Sequence, residues 1–495
     1  MKDATKKKIH LIGIGGSGLS AIALVLLEMG IEVSGSDRQV SPLTACIESA
    51  GGRVYIGHHS EQVLGADLVV RSSAIPDDNP EIQAARQAGI PILKRLEFLS
   101  QLTADKKTIA IAGTHGKTTT TAMIAWMMAS LGFDPSYIIG GVSVNMGKNA
   151  HAGTGEYFVI EADEYDHMFL GLVPQIAVVT NIEHDHPDCF PTLQDYYQAF
   201  QDFAGRLTSN GVLIACADDL GVVHLLKSEA SHRRSISYGL SSTKYNFRAE
   251  NLLPTCDGGI SFQVIYHLDE QYDNPKYPLY SPVNVTLQVP GEHNVQNALA
   301  CLAVASLLDI PLLSATSSLA AYTGTGRRFE VRGKASGVTV IDDYAHHPTE
   351  IRVTLAAARA NYPDQTIWVV WQPHTYSRTR LLADEFAQAF GSTTSHLVDH
   401  VIVTEIFASR ETPPADGYSA NQVAQAMRHP NVSFIAKLPQ IHDYLLSHLL
   451  PGNVLLVLSA GDADQLSTQV LLDLNRQEKI ATKKFSSSCC SSQLN

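Results

Sequence analysis

Short apolar runs bounded by glycine, aspartate or asparagine alternate with longer helical patterns through almost all of the 495 residues. That rhythm is the mark of parallel sheets whose strands are joined by crossover helices, so the expected fold class is α/β. Runs at Ile9–Ile14, Glu32–Gly35 and Asp67–Arg71, with a helix at Ser20–Met29, read as a small Rossmann-like domain over 1–106. A fresh strand at Thr108–Ala112 opens a second block, 107–323. It continues with strands at Phe158–Glu161, Ile176–Asn181 and Val212–Cys216 and an antiparallel patch over 240–290. A third, Rossmann-like block over 324–475 carries runs at Val338–Ile341, Ile367–Trp371, Val401–Thr404 and Val454–Leu458, and the serine- and cysteine-rich 476–495 reads as a disordered tail.

The balance of 36 Lys+Arg against 49 Asp+Glu, a formal charge of −13, disfavours a general nucleic-acid or anionic-membrane binder. An anionic substrate would have to be held by local clusters of backbone N–H, lysine and arginine. Seven cysteines, scattered except for Cys489 and Cys490 and without a CxxC pair, do not form a disulfide framework or a zinc half-site, and they point to a reducing cytosol. The basic start, Met1 to Lys8, leads into a strand and a glycine loop rather than a signal peptide, and no apolar run is long enough to span a bilayer.

Gly13-Ile-Gly15-Gly16-Ser17-Gly18 follows the first strand, and Asp37 stands near the end of the second. Alone this pattern suggests NAD, but its physics is narrower: a tight turn, close backbone approach and a helix N-terminus aimed at an anion, which suits the diphosphate of any nucleotide. Gly113-Thr114-His115-Gly116-Lys117-Thr118 lies between a buried strand and a helix rich in Thr, Ala and Met. It is shorter than the full GxxxxGK[ST] loop, since Ile111 stands where the first glycine would be. It still supplies successive N–H donors, a lysine charge for the β/γ-phosphates and a threonine hydroxyl for Mg²⁺, so ATP or GTP is the expected ligand. Two acidic strand ends, Glu161-Ala-Asp163-Glu164 and Asn181-Ile-Glu-His-Asp185-His186, are placed to converge on the same metal, although imidazole is an unusual ligand for a hard ion. Asn294 and Asn297, in Gly291-Glu-His293-Asn294-Val-Gln-Asn297, cap a helix or read an adenine edge. In the third block Arg327-Arg328, Asp342-Asp343-Tyr344-Ala-His346-His347 and His374-Thr-Tyr-Ser377-Arg378-Thr-Arg380 form three polar clusters at strand edges, suited to a carboxylate or a transferring phosphoryl group.

Taken in order, GxGGxG, GTHGKTTT, EADE, TNIEHDH, GEHNVxNALA, GRRFE, DDYAHHPTE and QPHTYSRTR closely resemble the Mur ligase family over roughly residues 8–470, and within it the branch that adds alanine. The resemblance implies three domains and an ATP-dependent ligation of L-alanine to UDP-N-acetylmuramate. Mg²⁺ or Mn²⁺ would assist it, in a cytoplasmic monomer or weak dimer without nucleic-acid or membrane partners. It implies that Gly13, Gly15, Gly16, Ser17, Gly18, Asp37, His58, Ser72 and Ser73 surround the UDP-sugar, so the N-terminal loop is not a nicotinamide site. It places Gly113 to Thr119 and Lys117 on the ATP phosphates, and Thr118, Glu161 and His186 around the metal. His293, Asn294, Asn297, Arg328 and Asp343 would meet the nucleotide, and Tyr344, His346, His374 and Arg378 the incoming alanine or the reacting carboxyl, with Lys117, His346, His374 and Arg378 catalytic.

Two departures matter. Later-acting members carry a carbamylated lysine where Phe200 stands here, so no carbamate is expected. Some alanine-adding members have an arginine at Thr375, so a carboxylate contact must come from Arg378, Arg380 or elsewhere. A sister ligase adding another amino acid or a recycled peptide shares nearly all of these motifs. An NAD-dependent dehydrogenase or a plain NTPase would use only one of the two glycine loops.

Overall fold

A computed structural model describes residues 7–228, 234–267, 282–391, 397–409 and 411–491, with side chains as far as 480. The chain forms two compact units. The first comprises Met1–Leu253, Ser261–Gln288 and Asn294–Thr325; the second comprises Pro254–Ile260, Val289–His293 and Gly326–Asn495.

The first unit holds two sheets. Five strands in parallel pairing, centred on Lys8–Ile12 with Glu32–Asp37 on one side and Leu68–Arg71 on the other, form the N-terminal sheet. The first strand ends at Ile12, two residues earlier than its apolar run, because Gly13 turns at φ +85° and its N–H, with that of Ile14, is donated to Ser36 O. The following helix, Ser17–Glu28, starts three residues before the expected Ser20, inside the glycine loop. Its inner face, Leu19, Ile22, Val25 and Leu26, is buried against the sheet.

The second sheet is ten-stranded. Near its middle, Lys107–Ala112 lies between Ile176–Val179 and Tyr157–Glu161, parallel to both. From this strand the chain builds first to one side, with Ser136–Ile138 and Tyr157–Glu161, and then to the other, with Ile176–Val179 and Val212–Cys216, so the crevice beyond its carboxyl end is the switch point where doubly wound sheets collect ligands. The 240–290 stretch is not simply an antiparallel patch: Arg234–Gly239 and Phe247–Pro254 pair in parallel at Tyr238↔Phe247 and Gly239↔Arg248. Asp218 stabilises the intervening turn by accepting from Leu240 N, Ser241 N and Ser241 Oγ.

The second unit is built on a six-stranded sheet in which Glu330–Ala335 is antiparallel to Val338–Asp343 and the rest are parallel, with Val454–Ser459 and Ile367–Gln372 at its centre. The tail expected at 476–495 does not begin there. Helix Asp464–Ser491 runs through it, because Leu466, Val470 and Leu474 form an i, i+4, i+8 stripe buried on the sheet and Glu478 accepts from Ser336 N. Residues 492–495 lie outside the described residues. Among the described residues Cys46, Cys189, Cys216, Cys256 and Cys301 are free thiols, and no helix is long and apolar enough to cross a membrane.

Candidate functional site

In the first unit the loop from Gly113 to Gly116 joins the central strand to helix Lys117–Ser130. Both glycines are required by geometry. Gly113 has φ +136° and a Cβ there would meet Thr180 Oγ1 at 2.0 Å; Gly116 has φ +80° and a Cβ there would meet Asn297 Oδ1 at 2.8 Å. The neighbouring strand end holds the loop in shape. Asn181 Oδ1 accepts from His115 N, Thr180 Oγ1 donates to His115 O, and Thr114 Oγ1 donates to Glu183 O and accepts from Glu183 N. Asn297 accepts from Thr120 Oγ1 and donates to Asn294 Oδ1, so both asparagines brace the loop and its helix.

Lys117 folds back over this loop, donating to Gly113 O at 2.5 Å and Thr114 O at 3.0 Å, and lies 3.0 Å from Glu164 Oε1 and 2.9 Å from Oε2. Burial works against its charge, yet Glu164 first, then Glu161 and Asp163, outweigh that and raise its pKa. Thr118 Oγ1 donates to Glu161 Oε1 at 3.1 Å, and Glu161 Oε2 accepts from Gly140 N. His186, at φ +54°, places Nε2 3.8 Å from Glu164 Oε1 and 3.7 Å from Asp185 Oδ2 and meets the Tyr165 ring edge-on. The expected Lys117, Thr118, Glu161 and His186 are therefore brought together around Glu164, while Thr119 lies half-buried in the first turn of the helix. Glu164 was visible in the sequence only as part of an acidic run. It is buried, shares Tyr196 OH with Thr114, and its Oε2, although ion-paired, takes no hydrogen bond. A hydroxyl and several carboxylate oxygens, one of them short of a hydrogen bond, fit a hard divalent cation.

The N-terminal loop has its own bracing. Asp37 Oδ2 accepts from Gly15 N at 2.8 Å, and Ser72 Cβ lies 3.1 Å from the Cβ position of Gly13. Ser17 is exposed at the start of the helix and Ser73 at the strand end, whereas Gly16 N turns back to Gly13 O. His58 is tied by Nδ1 to Ser36 Oγ at 2.9 Å and Glu81 Oε2 at 3.2 Å, and Glu81 also faces His10 Nε2 at 3.5 Å. Burial opposes the Glu81 charge, but His10, Ser36 and His58 together pull its pKa below the usual value. No sequence motif announced this buried group.

In the second unit Asp343 accepts from Phe329 N and Ala345 N, both at 2.7 Å, and so folds the Arg327–Phe329 turn onto the strand end. Burial pushes Asp343 up to about 6 against the pull of Arg328, and Asp342 up to about 7 against the pull of Arg327. The Tyr344 ring lies 5.0 Å from the Arg328 guanidinium and 5.1 Å from that of Arg327. His293 is driven down to about 4 by burial and by Arg328. His346 Nδ1 lies 3.1 Å from Tyr344 O and 3.2 Å from Glu350 Oε2, whereas His374 Nδ1 lies 3.1 Å from Arg378 Nη1; the two rings are 6.0 Å apart. Arg378 is buried, but Arg380 is committed to Asp416 at the surface, which leaves Arg378 the better placed of the two for a carboxylate. Thr375 adopts φ +65°, and Glu411 holds the next turn by accepting from Tyr376 N and from Ser377 N and Oγ.

Three family models match in succession: the Mur ligase family catalytic domain over 8–107, the Mur ligase middle domain over 111–305 and the Mur ligase glutamate ligase domain over 327–461. The chain belongs to the Mur ligase family. Among relatives of this Mur ligase, the UDP-N-acetylmuramate--L-alanine ligase of Geobacter sp. (strain M21) is 41% identical over 471 residues, 94% of this chain and 98% of that one. The protein of the same name from Roseiflexus sp. (strain RS-1) is 40% identical over 95% of this chain and 99% of its own. Among solved structures, the UDP-N-acetylmuramate-alanine ligase of Thermotoga maritima superposes with a TM-score of 0.76 at 29% identity, covering 97% of this chain and 99% of that one. A murein peptide ligase from Psychrobacter arcticus superposes at 0.69 with 26% identity, covering 95% and 99%. In this member Phe200 is fully buried, packed edge-on against Phe169 and Tyr196.

Proposed function

We propose that the chain is an ATP-dependent ligase that joins L-alanine to the lactyl carboxylate of UDP-N-acetylmuramate, releasing ADP and phosphate in the making of a peptidoglycan precursor in the cytosol. The observation that carries this reading is Lys117, half-buried and ion-paired with Glu164 at a sheet switch point, in a chain aligned along 94% of its length with an alanine-adding relative. A carboxylate is a poor electrophile, and phosphorylation by ATP turns it into an acyl phosphate with a good leaving group. Lys117 leaves Glu164 and the loop carbonyls to neutralise charge on the transferring phosphoryl oxygens, while the Gly113 to Thr119 backbone cradles the chain of phosphates. Thr118, Glu161 and Glu164, with His186 beside them, would hold Mg²⁺, for which Mn²⁺ substitutes. When bound, the ion supplies Lewis-acid neutralisation of the phosphate oxygens. Asn294, Asn297, His293, Arg328 and Asp343 serve the nucleotide, and the loop from Gly13 to Gly18 with Asp37, His58, Ser72 and Ser73 serves the UDP-sugar.

Alanine must lose an ammonium proton before it attacks the acyl carbon. His346 Nδ1 faces two acceptors, Tyr344 O and Glu350 Oε2, so it carries the hydrogen and the lone pair of the neutral ring falls on Nε2. A guanidinium only donates, so His374 Nδ1 accepts from Arg378 and its Nε2 carries the hydrogen. His346 is thus the proton acceptor, and His374, Arg378 and Tyr344 orient the carboxylate. The test is ADP release by the full chain with UDP-N-acetylmuramate, scanned across amino acids with each substrate omitted in turn. L-Alanine should be preferred. Preference for glutamate or a tripeptide identifies a sister ligase, turnover indifferent to any acceptor identifies a plain NTPase, and NADH binding without UDP-sugar affinity identifies a dehydrogenase.

A further inference from the structure

Gly18 closes the N-terminal glycine loop, and the space its side chain would fill is occupied. A Cβ at Gly18 would lie 1.8 Å from Arg95 Nη1 and 2.8 Å from Arg95 Cζ. Arg95 opens helix Arg95–Thr103, the last element before the central strand, and lays its guanidinium on the first turn of helix Ser17–Glu28. Its Nη2 donates to Asp163 Oδ2 at 3.1 Å. Asp163 lies between Glu161 and Glu164, the carboxylates that face Thr118 and Lys117. One side chain therefore touches both the loop read as the UDP-sugar site and the acidic strand end of the phosphate site. It makes a single hydrogen bond among the described residues, and its guanidinium has further N–H donors in a fixed fork.

Resting on the sugar-nucleotide reading of that loop, we propose that Arg95 is a diphosphate-binding and positioning residue. It donates to the acceptor's diphosphate above Gly18 while holding Asp163, and so fixes the reach of the acceptor toward the terminal phosphate of ATP. Two anions, diphosphate and carboxylate, on one planar fork are a geometry that arginine satisfies and lysine does not. The glycine at 18 is then required by the guanidinium as well as by the turn.

The test measures calorimetric affinity of the full chain for UDP and for uridine, followed by steady-state kinetics. Arg95→Ala should weaken UDP by about tenfold or more, the size of a lost charge-assisted hydrogen bond, and leave uridine within about twofold. KM for UDP-N-acetylmuramate should rise in parallel while KM for ATP stays within about twofold. Arg95→Lys, which keeps the stem and the charge, should still weaken UDP by about threefold or more, and carries the test if the alanine variant fails to fold. Gly18→Ala should weaken UDP as Arg95→Ala does, and the double variant should be no worse than the weaker-binding single variant. Equal losses for UDP and uridine, an unchanged KM for the UDP-sugar, or multiplicative losses in the double variant overturn the assignment of Arg95. If the wild-type chain prefers uridine or binds neither ligand, the sugar-nucleotide reading itself fails, and the proposal with it.

Discussion

Removing either partner of the Lys117–Glu164 pair isolates the force that shapes the phosphate loop before ATP arrives. The groups are 2.9 Å apart, with side chains 14% and 1% exposed. At an effective dielectric of about 20, two unit charges near 3 Å attract by roughly 5 kcal/mol, of which desolvation consumes a large part. Glu164→Gln keeps an oxygen for Nζ and leaves Glu161 and Asp163 nearby, so it should destabilise the first unit by about 2–3 kcal/mol. Lys117→Met leaves Glu164 buried without its cation and should cost about 3–5 kcal/mol. The double variant should be less destabilised than the sum, with a coupling of about 2–3 kcal/mol. Trp126, in the helix that Lys117 begins, reports this unit, and the other two tryptophans, Trp368 and Trp371, can be replaced by phenylalanine throughout. Urea titration of the ligand-free chain followed by Trp126 fluorescence yields the cycle. Additivity within about 0.5 kcal/mol would refute the argument that Glu164 is the principal counter-ion of Lys117.

Gly113→Ala forces a Cβ to within 2.0 Å of Thr180 Oγ1 at φ +136°; ADP release should be lost while UDP affinity, measured by calorimetry, is retained. His346→Gln should lower amide formation by about 10²-fold or more, whereas His374→Gln should chiefly raise KM for alanine; product analysis with varied alanine separates the two. His293, held down to about 4 in the folded chain, stays neutral while an unfolded chain protonates near 6.5. The unfolded state therefore binds more protons in that window, and stability falls as pH drops from about 6.5 to about 4, by on the order of 2 kcal/mol. Thermal melting across this range, read by Trp368 and Trp371, should lose that part of its slope in His293→Gln.

The positions of Lys107–Ala112, Gly113 and Gly116 were legible because apolar runs and glycine turns are written in adjacent residues. The ends of elements were less so. Ser17–Glu28 begins inside the glycine loop, and Asp464–Ser491 runs on into a serine-rich stretch, because the buried stripe of its first turns carries the helix forward. The acidic residues of 161–164 were visible as a run, but their division of labour was not: Glu161 faces Thr118, Glu164 faces Lys117 and Asp163 faces Arg95.

By itself the sequence determined the α/β class, the two glycine loops and the order of the polar clusters, since strand period, turn chemistry and motif spacing are local properties. Only the tertiary structure decided that Glu164 pairs with Lys117 across 47 residues and that Arg95 meets Asp163 across 68 and covers Gly18. Those pairings depend on distance and burial in space. Strand order sets both by bringing separate strand ends to one crevice, and spacing along the chain does not encode that order.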